Sequence, residues 1–251
     1  MKKILILVLI AFLGITFTSC NDSTTDPIPV VDTGSILVTS TPAGASIWIN
    51  KSVTGEVTPF TFADQDVAVY EIKLTLDNYK DTTLFVDVLK DQEARVTVEL
   101  TPTYTKFGPV EFWESLDPSS THPSGVSLNL GTAYSISSSN DNSAKIDLYY
   151  DSDGFLIISA SNRTSNSKMT RETYFSVGSS ANLNDGVNSP VKDNTWAKSI
   201  SVTERNYVFI YDQDGHYSKL LITKETPGTF DTYGSVVVEW IYNKAKDSVV
   251  F

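Results

Sequence analysis

Cysteine and histidine are nearly absent from this chain. Cys20 is the only cysteine among 251 residues, and His122 and His216 are the only histidines. One thiol cannot form an intramolecular disulfide or a cysteine-based zinc site, so the folded part must be stabilised by its core. Neither histidine has a partner at metal-ligand spacing or a context that favours Ser–His–Asp catalysis. We therefore predict a non-enzymatic protein without catalytic residues and without a metal site.

Basic residues are also scarce. The 19 lysines and arginines are outnumbered by 30 acidic residues, which gives a net charge of −11. Phosphate binding needs a basic patch, so nucleic acid is excluded as an expected partner. Alanine- and leucine-rich helical runs are missing, whereas Val, Ile, Thr and Tyr are frequent. These residues fit pleated, half-buried surfaces, and the composition predicts an all-β fold.

The N-terminus has the layout of a secretory signal. Lys2 and Lys3 precede an apolar run over residues 4–15, which is too short for a comfortable membrane span of about 20 residues. The sequence Phe17-Thr18-Ser19-Cys20 resembles the lipobox of bacterial lipoproteins, with Phe17 where an aliphatic residue is usual. That resemblance implies cleavage after residues 1–19 and lipidation of Cys20. The alternative is an ordinary secretory signal followed by a chance cysteine. Residues 20–33 contain two prolines and are predicted to form a tether.

Residues 34–102 alternate between apolar and polar side chains with a period of two. This pattern predicts five strands in a small antiparallel sandwich. The apolar faces are Ile36 and Val38; Ile47 and Ile49; Tyr70, Ile72, Leu74 and Leu76; Leu84, Val86 and Val88; and Ala94, Val96, Val98 and Leu100.

Three short motifs in this segment have a scaffold chemistry of their own. They are Pro42-Ala43-Gly44-Ala45, Ile47-Trp48-Ile49-Asn50 and Gly55-Glu56-Val57-Thr58-Pro59. Proline and glycine shape a tight turn, and Pro59 favours an extended Thr58. Together the motifs resemble the PEGA domain, which implies an extracytoplasmic module without catalytic residues. Trp48 points away from Ile47 and Ile49. It is either an exposed anchor for a partner or sugar, or it packs against another part of the protein.

Alternation fades over residues 103–125 and returns over residues 126–251. We predict that residues 103–125 are an interdomain linker, whose apolar residues dock on a domain or form a first strand of the second. The second domain is predicted to be a larger β-sandwich with nine strands. They span residues 126–130, 134–138, 145–150, 155–160, 172–177, 198–203, 207–211, 217–224 and 235–242. Stretches 161–168 and 178–194 are long polar loops, where a binding site would most naturally lie.

Two Asp-Gly turns join strands of the second domain. They are Asp151-Ser152-Asp153-Gly154 and Asp212-Gln213-Asp214-Gly215. Both predict β-hairpins, because aspartate and glycine tolerate positive φ. The alternative is calcium binding, but the glycine and the twelfth position do not fit a helix-loop-helix calcium loop.

Residues 207–222 and 234–242 resemble the end of HmuY-like haem-binding lipoproteins, with a strand, an Asp-Gly turn, a Tyr-x-Lys-Leu strand and a final aromatic strand. Lys145-Ile146-Asp147-Leu148 is similar to an earlier core strand of that family. That resemblance implies a surface lipoprotein that scavenges haem. Of the residues able to bind haem iron, Met169 beside a long loop is the best single candidate, although an ordinary apolar contact is the commoner role. The cofactor prediction is therefore none, with haem as the alternative.

These observations combine into one interpretation with two alternatives. The chain is predicted to be a lipoprotein of the cell envelope, attached through Cys20 to the outer membrane or surface of a Gram-negative bacterium. A PEGA-like module would present a C-terminal β-domain to an extracellular ligand, protein or glycan. The alternatives are a haem binder and a hydrolase of envelope polymer, which would need two facing carboxylates in a cleft.

Overall fold

The protein is all-β, as predicted. The computed structural model describes residues 31–115, 121–136, 141–151, 155–229 and 232–251. The signal segment, Cys20 and most of the tether lie outside these residues, as does the centre of the Asp151–Gly154 turn. Short 3₁₀ turns at Asp141–Lys145 and Ala160–Asn162 are the helical elements of the described chain. No helix in the described residues is long and apolar enough to cross a membrane.

The N-terminal domain contains seven strands in two sheets. They are β1 (Thr33–Thr41), β2 (Ser46–Ile49), β3 (Ser52–Val57), β4 (Phe60–Asp66), β5 (Val69–Thr75), β6 (Thr82–Asp87) and β7 (Glu93–Glu99). Sheet A has the order β4-β1-β7, and sheet B has the order β3-β2-β5-β6. All five predicted strands are present, and β3 and β4 are additional. The pairs are antiparallel apart from β1 and β7, which run parallel because the chain returns to sheet A after crossing sheet B.

The core of the N-terminal domain lies between sheets A and B and contains the predicted apolar faces. Its fully buried members include Ile36, Val38, Ile47, Ile72 and Leu74. Side chains on alternate positions of each strand therefore point inward, as a period of two requires.

A buried hydroxyl holds the Pro42–Ala45 turn in place. Thr58 is 2% exposed, and its Oγ1 accepts a hydrogen bond from the Ala45 N–H at 3.1 Å. The same oxygen lies 2.6 Å from Ser40 Oγ. The backbones of Thr58 and Ala45 also pair, and Gly44 adopts a φ of +92°, which glycine takes readily. These residues thus perform the scaffold role that their sequence predicted.

The second domain contains ten strands in two further sheets. They are β8 (Tyr104–Trp113), β9 (Gly125–Ser127), β10 (Thr132–Tyr134), β11 (Leu148–Asp151), β12 (Leu156–Ser159), β13 (Thr173–Val177), β14 (Ser199–Ser201), β15 (Val208–Asp212), β16 (Tyr217–Thr226) and β17 (Ser235–Asn243). Sheet C has the order β10-β9-β11-β12-β14, and sheet D has the order β13-β15-β16-β17-β8. Eight of the nine predicted strands are present, although most of these are shorter than predicted. The ninth, over 134–138, meets β10 only at Tyr134, and its last two residues lie outside the described chain.

The main core fills the space between sheets C and D. Trp240 is completely buried there, and its Nε1–H donates to the Leu128 carbonyl at 2.9 Å. Leu148, Ile157, Ile210 and Leu220 pack in the same cluster. The two sheets thus form the sandwich that the alternating pattern predicted.

The prediction of a linker over residues 103–125 is wrong for the part that forms β8. This strand pairs with β17 from Tyr104 to Trp113, and Phe112 is fully buried. The second alternative, a first strand of the second domain, is therefore the right one. Gly108 adopts a φ of +100° near the point where the β17–β8 pairing shifts register, so the strand is locally irregular there.

The two domains are joined by only a short connection between β7 and β8. The Thr103 N–H donates to the Asn78 carbonyl at 2.7 Å, and the Lys80 N–H donates to the Thr101 carbonyl at 2.8 Å. On the other side, the Lys244 N–H donates to the Thr103 carbonyl at 3.1 Å. Backbone hydrogen bonds to both domains therefore fix this connection.

Candidate functional site

The outer face of sheet D carries a layer of aromatic side chains. The strand register places Tyr174, Tyr211 and Tyr217 side by side on three adjacent strands. We call the whole cluster the outer aromatic layer. Its members are Tyr104, Tyr174, Leu183, Trp196, Tyr207, Phe209, Tyr211, Tyr217, Leu221, Ile241, Val249 and Phe251. Since sheet C covers the opposite face, sheet D is packed on both sides.

Loop 178–194, which has no regular secondary structure, covers part of this layer. Leu183 inserts its side chain and is 6% exposed. The Lys192 N–H donates to the Tyr217 hydroxyl at 2.9 Å, and the Gly178 N–H donates to the Tyr207 carbonyl at 2.9 Å. The loop predicted from its polar composition is therefore present, but it is fastened to the sheet rather than free.

A buried ion pair fixes the middle of the loop. Lys219 on β16 is 0% exposed, and its Nζ donates to Asp185 Oδ1 at 2.7 Å. The same ammonium lies 4.8 Å from the centre of the Tyr207 ring and 5.1 Å from that of Phe251. Aromatic faces attract a cation, and the single carboxylate neutralises it. Lys219 thus couples the sheet, the loop and the C-terminal segment.

The pKa of Asp185 reflects this pairing. Burial opposes ionisation, but hydrogen bonds from Lys219 and from the Val187 N–H outweigh it and lower the pKa to about 2. The carboxylate therefore stays charged at every pH at which the protein would normally function.

The C-terminal segment, residues 245–251, forms the other part of the cover. Asn243 is fully buried, and its Nδ2 donates to the carbonyls of Ser248 and Val250 at 3.0 and 2.9 Å. The Phe251 N–H donates to Asn188 Oδ1 at 3.0 Å, which joins this segment to loop 178–194. The two covering segments are thereby held against each other.

An apolar cleft of about 220 Å³ opens between these two segments. Tyr104, Leu183, Ile241 and Phe251 supply its apolar walls, and Asn184 and Gly186 form the rim. A space of this size accommodates one small ring or a branched aliphatic group. Apolar walls with a few polar groups at the rim are typical of a ligand site.

A second cleft of about 350 Å³ lies at the domain junction. Pro42, Tyr79 and Leu100 of the N-terminal domain face residues 246–250 of the second domain across it. The C-terminal segment therefore separates the two clefts and contributes a wall to each.

Buried acidic residues form a separate network between the sheets. Asp147 is 0% exposed, accepts the Leu128 N–H at 2.7 Å and receives Arg171 Nε at 2.6 Å. Arg171 also bonds Asp214. Burial raises the pKa of Asp147 to about 6, although Arg171 and the Leu128 N–H favour the charged form. Burial likewise raises the pKa of Asp212, which is 1% exposed.

Met169 and the two histidines lie in three separate surroundings. Met169 is 2% exposed and packs with Ile136, Ile146 and Tyr149. His216 Nδ1 lies 3.1 Å from the Asn243 carbonyl, and the His122 ring contacts Trp113 and Tyr233. These residues do not converge on one site.

The Asp212–Gly215 turn is the predicted hairpin. It joins the antiparallel strands β15 and β16, and Gly215 has a φ of +88°. Asp212 Oδ1 accepts the N–H groups of Asp214 and His216 at 3.0 and 2.9 Å, which closes the turn. Across the described residues, no group of three or more His, Cys, Asp or Glu side chains is placed to hold a metal ion.

Comparison with known families assigns the N-terminal domain. Residues 33–104 match the model of the PEGA domain. The N-terminal domain is a PEGA domain. The turn that Thr58 holds in place contains the Pro-Ala-Gly-Ala sequence on which the predicted resemblance rested.

Comparison with complete proteins does not assign the whole chain to a family. No curated protein matches the chain. A crystal structure of a protein of unknown function from Bacteroides fragilis NCTC 9343, described as membrane-associated, aligns at 11% identity and a TM-score of 0.23. The alignment covers 87% of this chain and 100% of that one, but so low a TM-score carries no argument. The resemblance of residues 207–242 to haem-binding lipoproteins gains no support from these comparisons.

Trp48 of the PEGA domain combines features of both predicted roles. It lies on the outer face of sheet B and is partly buried, with Lys73 Nζ 5.7 Å from the centre of its ring. Lys73 also pairs with Asp81 at 2.7 Å. Lys73, on the neighbouring strand β5, thus covers part of the indole.

Sequence reasoning missed Lys219 as a site residue. The alternation of Tyr217, Lys219 and Leu221 shows that the three share a face. It does not show that this face is covered by a loop more than thirty residues away in the chain.

We predict that removing one partner of the Lys219–Asp185 pair strongly destabilises the protein. Asp185→Asn leaves a buried ammonium without a counter-charge and should lower the free energy of unfolding by about 3–5 kcal/mol. Combining it with Lys219→Met removes both charges and should cost less than either single change. Urea unfolding of residues 21–251 measures each value.

The exposed pair of Lys198 and Glu172 supplies the matched control. Its side chains are 36% and 47% exposed, so Lys198→Met should cost about 1 kcal/mol or less. If Asp185→Asn lowered the free energy of unfolding no more than Lys198→Met does, the buried pair would not hold the loop against sheet D.

A second prediction concerns pH. Because the folded protein holds the Asp147 proton more tightly than the unfolded chain, protonation stabilises the fold. This contribution is complete below the ordinary pKa of 3.8 and is lost as the pH rises through about 6. The stability of the wild type relative to Asp147→Asn should therefore fall by about 2 kcal/mol between pH 4 and 7.

Asp193→Asn gives a control of opposite sign for the same urea titrations. The hydrogen bond from the Thr195 side chain and that from its N–H lower the pKa of Asp193. The stability of the wild type relative to this variant should therefore rise with pH. A rise in the Asp147→Asn series as well would mean that Arg171, and not burial, controls Asp147.

Proposed function

We propose that this protein is a non-enzymatic, lipid-anchored component of the cell envelope of a Gram-negative bacterium. Its PEGA domain carries a β-domain that binds a ligand or partner outside the cell. The N-terminal lipobox-like sequence supports the anchor at Cys20. The PEGA domain, a module expected outside the cytoplasm, supports the location.

The cleft beside Phe251 carries the binding part of the proposal. Its walls are apolar, and both segments that form it are fixed by hydrogen bonds to each other and to sheet D. A preformed site loses little conformational entropy when a ligand binds. A small cyclic or branched apolar group, either free or at the end of a larger partner, fits the volume.

Two alternatives draw less support from the geometry. A polymer hydrolase would place a carboxyl group of raised pKa in a cleft, whereas Asp147 and Asp212 are closed to solvent. A haem site would expose an axial ligand, whereas Met169 lies inside an apolar cluster. We therefore propose no cofactor.

We predict that the cleft binds small apolar rings. Phenol and cyclohexanol should bind residues 21–251 with a Kd of about 1 mM, which is reasonable for ligands of seven non-hydrogen atoms. Saturation-transfer NMR would detect the contact, and a titration of the protein amide signals would locate it.

Asn184→Trp, which fills the rim of the cleft, should abolish this binding. Val191→Trp is the matched control, because Val191 lies in the same loop, is 71% exposed and does not line the cleft. Equal binding by both variants would remove the cleft from the proposal.

A further prediction tests the anchor. In a Gram-negative host, the full chain should incorporate labelled palmitate and fractionate with membranes, and Cys20→Ser should abolish both. Cys20→Ser combined with Thr25→Cys restores a thiol in the tether and should remain unlabelled. Label that persists in Cys20→Ser would refute lipidation at this residue.

A further inference from the structure

Three segments of the PEGA domain meet at the point where the chain enters it. They are residues 31–33, the β4–β5 turn and the β6–β7 loop. The Val67 N–H donates to the Asp32 carbonyl at 3.0 Å, and the Asp91 N–H donates to the Thr33 carbonyl at 2.9 Å. The Val88 N–H donates to the Ala68 carbonyl at 2.9 Å. We call this region the entry pole.

The entry pole exposes aliphatic side chains from all three segments. Val31 is 58% exposed, Val67 45%, Val69 60% and Leu89 51%. Turns and surface loops usually carry polar residues, and a group of exposed apolar residues at one place marks a surface that meets another phase or partner.

The position of Cys20 in the chain indicates that this surface would face the membrane. Cys20 precedes Val31 by eleven residues. They span about 40 Å when fully extended and roughly 20 Å as a flexible coil. The opposite ends of β1 and β7 line the junction with the second domain. A lipid attached at Cys20 would therefore bring the entry pole, and not the second domain, close to the membrane.

The charges of the entry pole restrict the kind of lipid. Lys90 Nζ is paired with Asp32 Oδ1 at 2.6 Å, and Asp66, Asp87 and Asp91 add negative charge nearby. Anionic headgroups would be repelled, within a screening length of about 8–10 Å. Aliphatic side chains with net negative charge fit an uncharged, zwitterionic surface.

We propose that the entry pole rests on a zwitterionic lipid surface, with Val31, Val67, Val69 and Leu89 at the boundary between headgroups and acyl chains. This inference depends on the proposed anchor at Cys20. The anchor keeps the domain near the membrane, and the pole fixes its orientation there.

Site-directed spin labelling of the lipidated chain tests this contact. Lipidation occupies the native cysteine, so Val67→Cys or Leu89→Cys introduces a single reactive thiol. Val191→Cys, on an exposed position of the second domain, is the control. In phosphatidylcholine vesicles, nitroxides at 67 and 89 should be several-fold more accessible to oxygen, relative to a water-soluble nickel complex, than the nitroxide at 191.

Two further arms sharpen the result. Adding phosphatidylglycerol should reduce the oxygen preference, and salt should partly restore it. A label at Val69→Cys should lose its oxygen preference when Val67→Asp and Leu89→Asp are also present, with an unchanged circular dichroism spectrum as the check of folding.

The outcomes distinguish this inference from the anchor itself. If the protein sediments with vesicles but labels at 67 and 89 behave like the label at 191, the anchor stands and the resting pole is wrong. If the protein does not sediment with vesicles, the anchor fails and the inference fails with it.

Discussion

Sheet D has two apolar faces, and the need to cover both governs how the second domain is built. Along β15, Val208 and Ile210 face sheet C, while Phe209 points the other way into the outer aromatic layer. Sheet C covers the face that carries Val208 and Ile210. Loop 178–194 and residues 245–251 cover the other face. Both segments are irregular, and Leu183, Val249 and Phe251 are the apolar side chains that they add to the outer aromatic layer. Polar fastening must therefore hold them in place.

Lys219 provides that fastening because its side chain serves two purposes. Its four-carbon stem adds to the apolar layer, while the ammonium lies among the rings of Tyr207, Phe209 and Phe251. A buried ammonium needs a carboxylate, and Asp185 on the loop supplies one. Of the two aspartates in the loop, Asp185 pairs with Lys219, whereas Asp193 accepts a hydrogen bond from Thr195. The pair therefore specifies where the middle of the loop lies. The cleft beside Phe251 is a consequence of that position.

The strands could be predicted because a period of two is a local property. β3 and β4 were missed because their side chains are largely exposed, so that the alternation is weak. β8 was assigned to a linker because Gly108 and Pro109 interrupt its pattern, and only pairing with β17 shows that it continues. The role of Met169 depends on which segments pack over it, and the ion pair of Lys219 depends on Asp185, far along the chain. Such facts are set by tertiary packing, which residue order does not specify locally.

The connection between the domains links the entry pole of the PEGA domain to the cleft of the second domain. The backbones of Thr101 and Thr103 are hydrogen-bonded to Lys80 and Asn78, which lie between β5 and β6. Thr103 is also bonded to Lys244, and residues 246–250 face the PEGA domain across the junction. These hydrogen bonds tie the connection to both domains. The nine residues of β1 lead from the entry pole to this junction and span about 30 Å. If the PEGA domain rests on lipid by its entry pole, the cleft beside Phe251 lies in the domain on the other side of the junction, away from that pole.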